Sequence, residues 1–323
     1  MSNLLSTYKS IGIDIESGFG CTLYDKSGAK FLDLESGLWS TSLGHNNPRV
    51  NNAIMQQLEK VTHLNTRMPN YVAEEAARSL SNACGIIDGK CTFLCSGSEA
   101  MELSVKIAKH ILGGKKILAF SNSYLSAYGH AGEKSSSDFV LFNWEESIID
   151  NPDSAIDSID FNDIGGFIFE PGGSGIGFVR FPPFDLVKRI SLKIRETQGI
   201  IICNEVTTGI GRTGTFCGFH HYDIEPDLVV FGKGLGNGYP VSAIVFKNEI
   251  ANRLEGDSYT YIQSHQNDPL GCRVANAVIS ALTEDNLLER SQDSGFHFLG
   301  GLKTLVNRYE GVAEARGRGL LWR

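Results

Sequence analysis

The chain has 323 residues, 41% of them hydrophobic and 20% charged, a balance that fits a globular protein able to bury a large core. Its 29 Lys and Arg stand against 37 Asp and Glu, and the net charge of −8 argues against a nucleic-acid backbone as partner. No apolar run reaches the length of a membrane span, and the first five residues lack the pattern of a secretory signal, so a cytoplasmic protein with no membrane partner is expected.

The seven cysteines are Cys21, Cys84, Cys91, Cys95, Cys203, Cys217 and Cys272. Cys91 and Cys95 flank an expected strand, and no second pair completes a zinc site. The set reads as small apolar residues in a reducing compartment, with no metal expected.

In chain order, residues 19–34 predict a hairpin about the polar turn Asp25-Lys26-Ser27-Gly28. Asn47 and Pro48 then open a helix carrying Val50, Ile54, Leu58 and Val61 at helical spacing. From about residue 91 strands and helices alternate. Strands are expected at 91–95, 117–120, 139–142, 166–170, 200–203 and 228–231, several of them continuous apolar runs of the kind covered on both faces. A helix over 185–197 places Leu186, Ile190 and Ile194 on one face, with Asp185 as its cap and Gly199 past its end. This alternation predicts an α/β fold with a mostly parallel sheet. The final Leu320-Leu321-Trp322 reads as the start of a strand, so the chain is expected to be shortened there.

The chemistry gathers around Lys233. It lies in Gly232-Lys233-Gly234-Leu235-Gly236-Asn237-Gly238, a glycine-rich loop after an apolar strand, where a long amine can meet an aldehyde. Ser96-Gly97-Ser98 opens a helix at a strand end, and Ser96 with Glu99 has capping-box spacing. The free N–H groups there favour a phosphate, and two hydroxyls add donors. Tyr124 follows another strand and offers a ring for stacking. Ile200–Cys203 delivers Asn204 and, two positions on, Val206 at a strand's C-terminal end, where open α/β sheets bind ligands. An amine for an aldehyde, a phosphate cradle, a stacking ring and a polar partner for a ring nitrogen together describe pyridoxal 5′-phosphate.

Ser96–Ala100, Glu170-Pro171, Asn204–Gly214, Pro226-Asp227, Lys233–Pro240 and the N-terminal Asp33–Trp39 with Gly44-His45 resemble the class III aminotransferases over nearly the whole chain. The resemblance implies the fold type I architecture of pyridoxal-phosphate enzymes. Residues 45–250 would form the large cofactor-binding domain, and 1–44 with 251–323 a smaller α+β domain. It also implies a homodimer acting on small amines or amino acids and keto acids. Lys233 would be the Schiff-base lysine. Ser96, Gly97 and Ser98 would hold the phosphate, and Tyr124 and Val206 would sandwich the ring. Ser264 matches a threonine that reaches the phosphate from the neighbouring subunit. Trp39 would line the substrate entrance.

Asn204 departs from the pattern by standing where the family has an aspartate paired with the ring nitrogen. An amide brings no charge, and losing one partner of a buried ion pair costs about 3–5 kcal/mol. Part of that in the barrier lowers the rate by about two to three powers of ten, so an impaired aminotransferase is expected. Leu125, Ser126 and Ala127 replace a His-Gly pair and an arginine that some members carry, and Gly175 lies where some carry a second glutamate. Two other readings stay open: a racemase, lyase or aminomutase on the same scaffold, and a catalytically silent cofactor-binding partner subunit. His220, His221 and Asp223 have no fourth ligand in view, and Glu205 and Arg212 read as structural.

Overall fold

The computed structural model describes residues 3–5, 7–144, 156–157, 159–173 and 179–323; Gly175 lies outside them. Near the N-terminus, β1 (Ile15–Phe19), β2 (Thr22–Asp25) and β3 (Lys30–Leu32) form an antiparallel sheet. The expected hairpin is β2–β3, its turn closed by Asp25, whose Oδ1 accepts from the N–H groups of Ser27 and Ala29. β1 is an addition that the sequence pattern does not announce.

Seven further strands make the central sheet: β4 (Lys90–Leu94), β5 (Lys116–Phe120), β6 (Phe139–Phe142), β7 (Ile164–Phe169), β8 (Ile200–Asn204), β9 (Leu228–Phe231) and β10 (Ser242–Phe246). Their order is β4-β10-β9-β8-β7-β5-β6. β10 runs antiparallel to both neighbours, while the run from β9 to β6 is parallel. Since β10 reverses against β4 and β9 alike, β4 points the same way as β9. The C-terminal ends of six strands therefore open on one edge of the sheet.

Both faces of the sheet are buried, as the apolar runs require. Ile201 and Cys203 of β8 join Val229, Phe231, Phe167 and Phe169 on one face, under the helices Tyr71–Cys84, Phe184–Glu196 and Pro269–Glu284. Ile200 and Ile202 join Leu228, Val230 and Ile168 on the other, under the helix Gly97–Leu112 with its buried Leu103, Ile107 and Ile111. By the two-residue period of a strand, Asn204 continues the second face and Cys203 the first. The same helix that covers that face begins at the C-terminal edge of the sheet, so Asn204 and Ser96 are brought to one edge.

Two helix ends differ from expectation. The helix Phe184–Glu196 is not capped by Asp185: its N-cap is Pro183, and Asp185 sits in the first turn. A proline there has no side-chain acceptor, so the negative charge of Asp185 acts through the helix dipole instead. The helix Pro48–Leu58 is capped by Asn47 as expected, and its apolar stripe ends early, leaving Leu58 and Val61 exposed. At the other end of the chain, Gly317–Arg318 pairs antiparallel with Leu321–Trp322, and Leu321 is buried. Among the described residues no helix is long and apolar enough to cross a membrane.

Candidate active site

The loops after β4, β5, β7, β8 and β9 converge on the C-terminal edge. β9 ends at Phe231, and after Gly232 the chain turns with Lys233 at φ +41°, a left-handed conformation that a side-chain-bearing residue rarely takes. Held there, the lysine is largely buried and points its Nζ at Thr207 Oγ1, 2.8 Å away, with the Trp39 ring 4.7 Å from the amine. Burial lowers the proton affinity of Lys233; Glu170 opposes this and Arg212 adds to it. A lysine pushed in that direction reaches its neutral, nucleophilic form more readily.

Asn204, buried at 2% exposure, directs its amide across the crevice. Nδ2 donates to Tyr124 O at 3.1 Å and to Glu170 Oε1 at 3.2 Å, while Oδ1 accepts from Val206 N at 3.2 Å. Glu170, at the end of β7, also accepts from Tyr124 N at 2.9 Å. Tyr124 is thus pinned through its backbone at both ends, and its ring stays about half exposed. Burial raises the Glu170 carboxyl to about 7, against the pull of the Tyr124 hydrogen bond and of the Lys233 and Lys134 cations.

Ser96 caps the helix Gly97–Leu112 by accepting from Glu99 N at 3.2 Å. The reciprocal half of the capping box is displaced by one residue, because Glu99 accepts from Cys95 N rather than from Ser96 N. Ser98 Oγ accepts from Ala127 N, tying the Tyr124 loop to the helix start. In these contacts both hydroxyls accept, so each retains an O–H proton for an anion. Gly97 is required by packing: a Cβ there would lie 2.7 Å from Val206 Cγ1. Val206, Gly97 and Gly232 form one tight floor beneath the crevice.

Trp39 arrives by an unusual route. Ser36, Gly37, Leu38 and Trp39 all have φ between +52° and +63°, forming one left-handed helical turn. Asp33 secures its start by accepting from the N–H groups of Glu35 and Gly37, and His45 Nε2 lies 2.8 Å from Asp33. Arg212, itself buried, secures its end by donating to Trp39 O and Ser42 Oγ. Ser264 stands apart, exposed on a loop that Asn267 ties to β4 through the Phe93 backbone.

The structure therefore brings Lys233, Asn204, Val206, Tyr124, Ser96, Gly97, Ser98 and Trp39 to one edge. Glu170 and Thr207 belong to the same site with no role assigned by the sequence pattern, and Arg212, which reads as structural in the sequence, holds the Trp39 turn there. Glu205 is structural: its buried carboxylate accepts from Thr208 Oγ1 and from the N–H groups of Gly218 and Phe219. His220, His221 and Asp223 do not converge, since they contact Cys84 O, Thr213 O and Lys188 respectively.

The profile of the class-III aminotransferases matches residues 6–323. The chain belongs to the class-III aminotransferase family. An acetylornithine aminotransferase from Caldanaerobacter subterraneus is 32% identical over 332 residues, covering 98% of this chain and 82% of that protein. A transaminase structure from the marine bacterium Virgibacillus superposes with a TM-score of 0.89 at 26% identity, over 99% of this chain and 80% of the other. The fold is also shared with a taurine:2-oxoglutarate aminotransferase from Bifidobacterium kashiwanohense solved with PLP and glutamate (TM-score 0.90, 20% identity, 99% of this chain and 79% of the other). The architecture is that of fold type I, and the cofactor of this class-III chain is pyridoxal 5′-phosphate. The donor set fits that group: a desolvated amine, a helix N-terminus with two hydroxyls, a half-exposed tyrosine, and a buried amide bonded to the backbone of Tyr124 and Val206.

Proposed function

We propose that this class-III chain is an aminotransferase that moves an amino group from an amine or amino acid to a keto acid or aldehyde. The observation that carries the reading is the Lys233 amine, desolvated and held 2.8 Å from Thr207 Oγ1 on the same edge as the Ser96 helix start. Pyridoxal phosphate, when bound, supplies an aldehyde for the amine and a ring that withdraws electrons from the substrate carbon. Lys233 would hold the cofactor, and once displaced by substrate its neutral amine would move the proton between the substrate α-carbon and the cofactor C4′. Ser96, Gly97 and Ser98 would bind the phosphate through N–H groups and hydroxyls. Tyr124 and Val206 would keep the ring planar in the crevice, and Asn204 would meet its nitrogen. Trp39 would cover the entrance and limit water.

Asn204 supplies no charge of its own, so this proposal includes a rate below that of an aspartate-bearing enzyme. The segment Leu125-Ser126-Ala127 carries no cation for a substrate carboxylate, and Leu125 and Ser126 are buried. We therefore leave acetylornithine with the relative that bears its name and propose only the amine or amino acid class. In the same reading residues 45–250 form the large domain, 1–44 and 251–323 the small one, and the protein is a cytoplasmic homodimer. The exposed Ser264 of the partner subunit would then approach the phosphate.

The test is spectroscopic. Purified protein is mixed with pyridoxal phosphate, reduced with borohydride and digested, and the peptide bearing Lys233 is weighed. Cofactor attached at Lys233, followed by conversion to the pyridoxamine form on adding an amino donor, supports transamination. Attachment without that conversion favours the racemase, lyase or silent-subunit alternatives, and no attachment overturns the reading.

A further inference from the structure

The orientation of the Asn204 amide is fixed by three contacts that agree. Nδ2 donates to Tyr124 O and Glu170 Oε1, and Oδ1 accepts from Val206 N. The reversed amide would set its oxygen against a carbonyl and a carboxyl oxygen, and its NH2 against an N–H. A primary amide has two hydrogens to give and two lone pairs to fill. Here both hydrogens and one lone pair are used. The position left is a lone pair on Oδ1, so a group that meets Asn204 from the crevice must bring a hydrogen. An unprotonated ring nitrogen brings none.

We propose that Asn204 and Glu170 together replace, in two pieces, the single carboxylate of the family pattern: Asn204 Oδ1 accepts from a protonated ring nitrogen, and Glu170 locks the amide in that orientation and supplies the charge. This rests on the pyridoxal-phosphate reading of the site. Glu170 is a positioning residue, one hydrogen bond behind the group it serves. It is 5% exposed, so its charge is little screened by water. Burial opposes its ionisation, while the Tyr124 N–H and the Lys233 and Lys134 cations favour the ionised form. Lys134 is itself fixed by donating to Ser121 O and Ser123 O, so the cation beside Glu170 is held in place.

The experiment loads the full-length protein with pyridoxal phosphate carrying 15N at the ring and follows the nitrogen shift against pH by NMR. Expected is a protonated ring nitrogen at neutral pH in the native protein. In Glu170→Gln the titration midpoint falls by about one unit or more, a tenfold loss of proton affinity. In Asn204→Leu, which keeps the bulk without an acceptor, it falls further. An unprotonated nitrogen in the native protein overturns the proposal without recourse to any variant, and a Glu170→Gln midpoint equal to the native one removes the role of Glu170. Borohydride trapping on the same samples separates the two levels: absence of cofactor at Lys233 defeats the functional reading, whereas trapped cofactor with an unprotonated ring defeats only this inference.

Discussion

Lys233 Nζ and Thr207 Oγ1 lie 2.8 Å apart, so the amine is held in one direction by a hydrogen bond within the chain. Lys233→Ala removes the only atom that can attach the cofactor in this reading, and the borohydride-trapped adduct at position 233 should vanish with turnover. Thr207→Val should retain the adduct and slow its formation by less than about tenfold, since a single neutral hydrogen bond is worth about 1 kcal/mol. Because burial lowers the amine's proton affinity, capture of cofactor should accelerate with rising pH about a midpoint below the 10.5 of an ordinary lysine. Stopped-flow absorbance on cofactor-free protein measures it.

In the proposed reading Asn204→Asp would place the charge directly at the ring nitrogen and should raise the half-reaction rate by at least about tenfold, or 1.4 kcal/mol of barrier. The new carboxylate would stand where Nδ2 now lies 3.2 Å from Glu170 Oε1, so the two carboxyls share one proton and Glu170 is driven further toward its neutral form. Single-turnover kinetics with an amino donor checks the first outcome. An unchanged rate would count against the reduced activity expected of an asparagine at this position.

Glu170 also sets a pH dependence of stability in the cofactor-free protein. Its folded value of about 7 lies above the ordinary 4.5, so between those values the native state keeps a proton that the unfolded chain has lost. Stability therefore falls as pH rises through that window, by about 3 kcal/mol at most for this group. Denaturant unfolding at a series of pH values should show a steeper decline in the native protein than in Glu170→Gln, where buried Glu205 still contributes in the same direction. A parallel course for both proteins would contradict the buried, proton-holding carboxyl.

Gly97→Ala puts a methyl group 2.7 Å from Val206 Cγ1, at the junction of the helix start and the β8 loop. Overpacking of this kind costs about 1–3 kcal/mol. Cofactor affinity should fall with stability, because in the proposed reading the displaced elements are the phosphate cradle and one wall of the ring slot. Val206→Ala in the same chain makes room, so the double variant should regain stability over Gly97→Ala alone. Thermal unfolding and cofactor titration of the three variants test the coupling.

Much of this was readable before any coordinates. Ile200–Cys203 and Leu228–Phe231 announce buried strands through unbroken apolar runs, and strand parity alone sends Asn204 and Cys203 to opposite faces. Ser96 shows its role as a cap through its spacing to Glu99, although that carboxylate turns to Cys95 instead. What stayed hidden is long-range. Nothing near Glu170 in the chain shows that it will share a hydrogen bond with Asn204, 34 residues on. β10 escapes because Val241–Phe246 follows the glycine loop and Pro240 without a separating polar turn. The left-handed turn at Ser36–Trp39 has one glycine and no residue pattern that requires it, because tertiary anchors impose it.

That turn has a consequence for how the mouth of the site is shaped. Three side-chain-bearing residues sit where L-amino acids lose about 1–2 kcal/mol each, and the anchors at Asp33 and Arg212 bear the load. Loosening either anchor should let the segment relax to the opposite hand and carry the indole off the amine. If Trp39 covers the entrance as proposed, the width of the doorway is written into backbone chirality, and an engineer seeking room for bulkier amines would cut the tethers before trimming the tryptophan.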